Sequence, residues 1–87
     1  MKVKIHSADK KILETEAVEV ALPGWDGEFT VMDFHQPCLY GLRAGRIKIK
    51  YSRKKTAGQK LQEKITIKRG IAKIVSNELT ALVEAQV

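Results

Sequence analysis

Apolar and polar residues alternate with a period of two along most of this chain, the pattern of strands with one covered and one wet face. Val3 and Ile5 alternate with Lys2, Lys4 and His6, and Ser7-Ala8-Asp9 then reads as a turn. Ile12 and Leu13 open the next strand. From there Ile12, Val18, Val20 and Leu22 share one parity. Glu14 and Glu16 fall on that same parity, which predicts a twist, bulge or break between Glu14 and Val18. Residues 46–51 alternate cleanly, with Ile47, Ile49 and Tyr51 on one side and Arg46, Lys48 and Lys50 on the other. Ile65 and Ile67 repeat this against Lys64, Thr66 and Lys68. After Gly70 come an apolar block at 71–75, a hairpin signal at Ser76-Asn77-Glu78, and a second block at 79–83.

Residues 53–64 contain good helix formers but only one large apolar residue, Leu61, with Gly58 between them. So narrow an apolar stripe buries too little to hold a helix, and a long polar hairpin connection is predicted. Short strands separated by turns predict an all-β, antiparallel β-sandwich of about ten short strands, forming one domain over residues 1–87.

Composition narrows the choice of function. An apolar fraction of 44% in regular blocks argues against disorder. The one cysteine, Cys38, excludes an internal disulfide framework and fits a reducing compartment. No apolar run approaches the roughly 18 residues of a membrane helix. The N-terminal MKVKIHSADKK lacks a signal-peptide core, which predicts a mature cytosolic chain.

The formal net charge is +6, and cations crowd residues 46–73: Arg46, Lys48, Lys50, Arg53, Lys54, Lys55, Lys60, Lys64, Lys68, Arg69 and Lys73. A small basic β-domain binding nucleic acid through residues 46–73 is one reading. Single-strand binders interleave aromatic platforms with their cations, and only Tyr51 lies in this region. Solvated strand faces carrying lysine against edge aggregation are therefore favoured, and no nucleic acid is expected.

Leu22 to Pro37 is the densest stretch, with Pro23, Gly24 and Gly27 as turn-makers around a short apolar strand. Asp26 and Glu28 share a strand face as an acid/base pair would, but a glycine-lined turn is too exposed to shift a carboxylate much. The glycines precede no helix, so no phosphate loop is read there. His6 and His35 lack Cys or carboxylate neighbours at ligand spacing, and Cys38 beside Leu39 reads as packing. No catalytic residue, metal site or cofactor is predicted. Trp25 serves either an interface or the sandwich edge, Glu28 either a contact or a solvated turn, and His35 either a contact or a loop-carbonyl bond.

The ordered run Leu22-Pro23-Gly24, Asp26-Gly27-Glu28-Phe29, Val31-Met32, His35, Pro37, Leu39, Leu42, Gly45 and Ile47 resembles the epsilon subunit of F-type ATP synthases. Its signature there is PG-x-x-G-x-x-G-V-L-P-x-H-A-P-L, followed by a leucine, a glycine and an alternating strand. Arg69 to Ile74 is similar to the family's GG-F-x-E-V block, and Ser76 to Ala85 to its N-x-V-T-V-L-A-D-x-A strand. The start, Val3 and Ile5 followed by Ser7 to Lys10, is similar to L-x-I-V-T-P-x-K. Thr30 and Arg69 stand where the family has glycine, Asp33-Phe34 where it has Pro-Gly, and Gln36 where it has alanine, marking a divergent branch.

The resemblance implies a non-catalytic central-stalk subunit that binds the gamma subunit and rests on the c-ring, passing torque between them. By position it carries Trp25, Asp26, Glu28 and His35 to the c-ring-facing loops. It also implies a peripheral place on the cytoplasmic side of the bacterial inner membrane. Family members carry a C-terminal helical hairpin that inhibits ATP hydrolysis and in some binds ATP. No such hairpin follows the sandwich within this sequence, so the expectation is a chain that couples without switching. The basic strands would then face an acidic flank of gamma or anionic lipid headgroups.

Overall fold

The computed structural model describes residues 1–51 and 61–85. Among these residues there are eight strands and no helix: β1 (Lys2–His6), β2 (Lys11–Glu16), β3 (Glu19–Gly24), β4 (Gly27–Met32), β5 (Cys38–Leu42), β6 (Gly45–Lys50), β7 (Gln62–Val75) and β8 (Glu78–Ala85). The hydrogen-bonded order is β2-β1-β8-β7-β5-β3-β4, with β6 lying between β3 and β7. All-β architecture therefore holds, in agreement with the sandwich expected from the alternation.

Two details differ from the sequence expectation. Among the described residues the strands number eight, and residues 62–75 form one continuous strand where Gly70 reads as a boundary. Nor is every pair antiparallel: β1 runs parallel to β8, with Val3 opposite Leu79 and Ile5 opposite Ala81. The predicted break before Val18 is present as the gap between β2 and β3. Of the predicted polar connection at 53–64, Gln62 to Lys64 belong to β7, and residues 53–60 lie outside the described residues.

Strand β7 joins the two layers. Its first half pairs β6, from Lys50 opposite Gln62 to Gly45 opposite Ile67. Its second half lies between β5 and β8. A bulge between Ile67 and Arg69 separates the halves and reverses which parity faces inward. Ile67 is buried before it, Ala72 and Ile74 after it.

The core follows the alternation. Val3, Ile5, Val20, Leu22, Val31, Leu42, Ile47, Ile49, Ile67, Ile74 and Leu79 are fully enclosed, and no charged or polar residue is buried among them. Phe29 and Tyr40 close one side, their ring centroids 4.1 Å apart and tilted by 39°. Tyr51 closes another, donating from its hydroxyl to Glu63 at 2.6 Å. Burial, then the neighbouring Glu63, push the Tyr51 phenol up to about 12.

The turns carry their own chemistry. Ser76 and Asn77 both have positive φ, 52° and 60°, as the two-residue hairpin between Val75 and Glu78 requires. The Asn77 side chain accepts from the Phe34 N–H at 2.7 Å. Phe34 has φ of 61°, so the position where the resembling family has glycine keeps glycine's conformation in a bulky residue. Beside it Asp33 accepts from the Met1 ammonium, which also donates to the Ala17 carbonyl at 2.8 Å.

Two measurements check this account. Ile49→Ala empties a site with no solvent exposure and lowers unfolding free energy by about 2–5 kcal/mol in urea titration followed by circular dichroism. Because the folded-state Tyr51 pKa lies above the unfolded value, its contribution is complete below about 10 and is lost as pH rises toward 12. Tyr51→Phe accordingly loses less stability than the parent between those two values.

Candidate functional site

The hairpin joining β3 to β4 has Gly24 paired with Gly27, so Trp25 and Asp26 form its tip. Glu28 follows on β4 with its carboxylate in solvent, where Lys48 Nζ lies 3.3 Å away. His35 falls beyond the opposite end of β4, in the connection to β5. Strand β4 has six residues, which at ~3.3 Å each separates its two ends by roughly 17–20 Å. The structure thus groups Trp25, Asp26 and Glu28 near one end of β4 and sets His35 near the other. Among the described residues β4 pairs only with β3, so all four positions lie along one sheet edge.

At the His35 end, imidazole Nδ1 donates to the Gln36 carbonyl at 2.9 Å and lies 3.7 Å from Cys38 Sγ. Of the two readings of His35, a contact or a loop-carbonyl bond, the structure shows the bond, made by a half-buried ring, and it leaves the contact open. Cys38 packs against the core, and its hydrogen bond to Tyr40 holds that phenol above its usual range.

Trp25 is 67% exposed but does not project freely. Its indole lies across the Gly41 backbone, where an added Cβ would sit 2.7 Å from the ring. Only glycine admits that approach. The Trp25 N–H also donates to the Gly41 carbonyl at 3.3 Å. Gly41 is opposite Ile71 on β7, and Ile71 is opposite Leu82 on β8. Ile71 is 49% and Leu82 56% exposed, and Leu39, two residues from Gly41, is 65% exposed. An apolar row therefore crosses the outer face of β8, β7 and β5 and ends under the indole. Its groove, about 540 Å³, is lined by Trp25, Ile71 and Leu82, with Arg69 and Glu84 at the rim.

That rim is ionic. Arg69 Nε donates to Glu84 at 2.7 Å, and each holds the other charged, the carboxyl below its usual range and the guanidinium above. Lys4 and Glu78 pair at 3.4 Å on the same face. An apolar centre with a charged margin is the anatomy of a protein-docking surface. Sequence reasoning passed over Ile71, Leu82 and Leu39. A signal was present, since apolar residues on both parities of 71–75 and 79–83 mark strands covered on both faces.

Among the described residues no three or more His, Cys, Asp or Glu side chains converge as metal ligands. Asp26 and Glu28 stand on an open edge, an arrangement suited to contact.

The family profile described as ATP synthase, Delta/Epsilon chain, beta-sandwich domain matches residues 1–87. An ATP synthase epsilon chain of Herminiimonas arsenicoxydans is 32% identical over 87 residues, all of this chain and 59% of the relative. A chloroplastic ATP synthase epsilon chain of Thalassiosira pseudonana is 34% identical over 83 residues, 95% of this chain and 57% of the relative. The chain thus spans a little over half the length of these relatives. A chain in the Euglena gracilis mitochondrial ATP synthase (OSCP/F1/c-ring) superposes with a TM-score of 0.78 at 17% identity, over 98% of this chain and 51% of that one. With the all-β sandwich and the profile match over residues 1–87 in agreement, the chain belongs to the family of ATP synthase delta/epsilon β-sandwich domains.

Proposed function

We propose that this chain is a non-catalytic coupling element of a rotary F-type ATP synthase. It grips the gamma subunit through the row Leu82–Ile71–Trp25 and meets the c-ring along the β4 edge with Trp25, Asp26, Glu28 and His35. The carrying observation is that large apolar side chains stay exposed on one face while the core beneath them is full. Membership of the epsilon-type family supports the choice of partners. Trp25 is shared by both surfaces, since it forms the β3–β4 tip and covers Gly41.

The role needs little more than rigidity and two separate contacts. Leu82 and Ile71 supply desolvation energy, with the Arg69–Glu84 pair fixing orientation at the margin. Glu28 presents a carboxylate to polar or basic loop groups of the ring. Catalysis would belong to partner subunits, and the domain would lie peripherally in the F1 sector, on the cytoplasmic side of the bacterial inner membrane.

Co-purification with a gamma subunit tests the first contact. Leu82→Glu, which places a carboxylate in the middle of the row, abolishes recovery of the complex while the free chain melts within a few degrees of the parent. Unchanged recovery sinks the assignment. For the second contact, Glu28→Lys lowers ATP-driven proton pumping of the assembled enzyme with the ATPase rate retained. Loss of the Lys48 pair alone costs at most about 1 kcal/mol, so a fully folded variant with normal pumping would count against Glu28.

A further inference from the structure

We infer that the outer face of β6 and of the first half of β7 is a third docking surface, and that its occupant is a bilayer presenting anionic lipid headgroups. It is separate from the apolar row, because strands β6 and the Gln62–Ile67 stretch form a different layer from β8 and the end of β7. The inward residues of these strands, Ile47, Ile49 and Ile67, are buried, so Arg46, Lys48, Lys50 and Lys64 all point outward.

The register makes this face strained by its own charge. Lys48 lies directly opposite Lys64, an arrangement that disfavours the pair unless an anion sits between them. Glu28 answers Lys48 from β4, and Glu19 lies opposite Lys50. Arg46, Lys50 and Lys64 have no ion-pair partner among the described residues. Four cations thus share the surface with two carboxylates.

Three anionic partners differ in what else they need. A protein interface has a centre depleted of charge, particularly of lysine, and the centre of this face is lysine. Nucleic acid needs stacking aromatics or an element that enters a groove, whereas the one aromatic of β6–β7, Tyr51, turns its hydroxyl to Glu63. A lipid surface needs cations on flexible stems with apolar side chains at the margin. Met32 provides one such side chain, opposite Glu19 on β4 and half exposed. Phe34 provides another just beyond it, 82% exposed and held at positive φ by the turn that Asn77 caps. That conformation is unfavourable in a bulky residue, and here it fixes an aromatic ring outside the fold.

Co-sedimentation of the full chain with phosphatidylglycerol–phosphatidylcholine vesicles, against phosphatidylcholine alone, tests the proposal. Binding confined to the anionic vesicles and weakened by salt is expected. Lys50→Gln and Lys64→Gln together lower partitioning by about fivefold each. Phe34→Gly, which suits the positive φ, lowers it further. Thermal melts monitor folding of each variant. Equal binding to neutral vesicles, undiminished binding by the double variant, or tighter binding to an oligonucleotide than to the anionic vesicles at the same salt would each overturn the proposal.

Discussion

Everything in this domain depends on one strand belonging to both layers. β7 hydrogen-bonds to β6 with its first half and to β5 and β8 with its second, so the core is closed by a bend in a continuous backbone. The bend is made at the bulge between Ile67 and Arg69 and at Gly70, where a Cβ would come within 2.6 Å of the Leu82 carbonyl. Reversing the inward parity there does two things at once. It turns Ala72 and Ile74 into the core, and it turns Ile71 out beside Leu82. The exposed apolar row is therefore a by-product of how the sandwich is closed.

Much of the fold was legible in the residues. The Ile47–Ile49 and Ile65–Ile67 alternations register against each other as adjacent strands, and Ser76-Asn77 forms the hairpin its composition announces. The bend was not legible, because a bulge that shifts parity looks the same in sequence as the end of one strand and the start of another. Gly70 strengthened that impression, since glycine marks both turns and close backbone approaches. The site was legible only in part. Trp25 stood out as a turn aromatic, but its rest on Gly41 depends on a register between residues sixteen positions apart.

The charge pattern and the apolar pattern divide the labour between stability and contact. Among the described residues the enclosed side chains are apolar throughout, so the core carries the folding free energy. Ion pairs such as Lys48–Glu28 and Arg69–Glu84 sit in solvent and contribute little to it. The loop at Asp33-Phe34 shows the same economy: a position that elsewhere holds glycine keeps its backbone conformation and gains a ring, while the adjacent carboxylate ties the loop to Met1.

The seating of Trp25 on Gly41 has a mechanical consequence. A two-residue hairpin tip is ordinarily the most compliant point of a sheet, and would yield first under a sideways load. Here the tip is clamped to β5 by the indole and by the Trp25–Gly41 backbone bond, while β5 is laced to β7 along its whole length. Force applied at the tip enters the strand that spans both layers and spreads through the entire body, so the tip behaves as a rigid tooth.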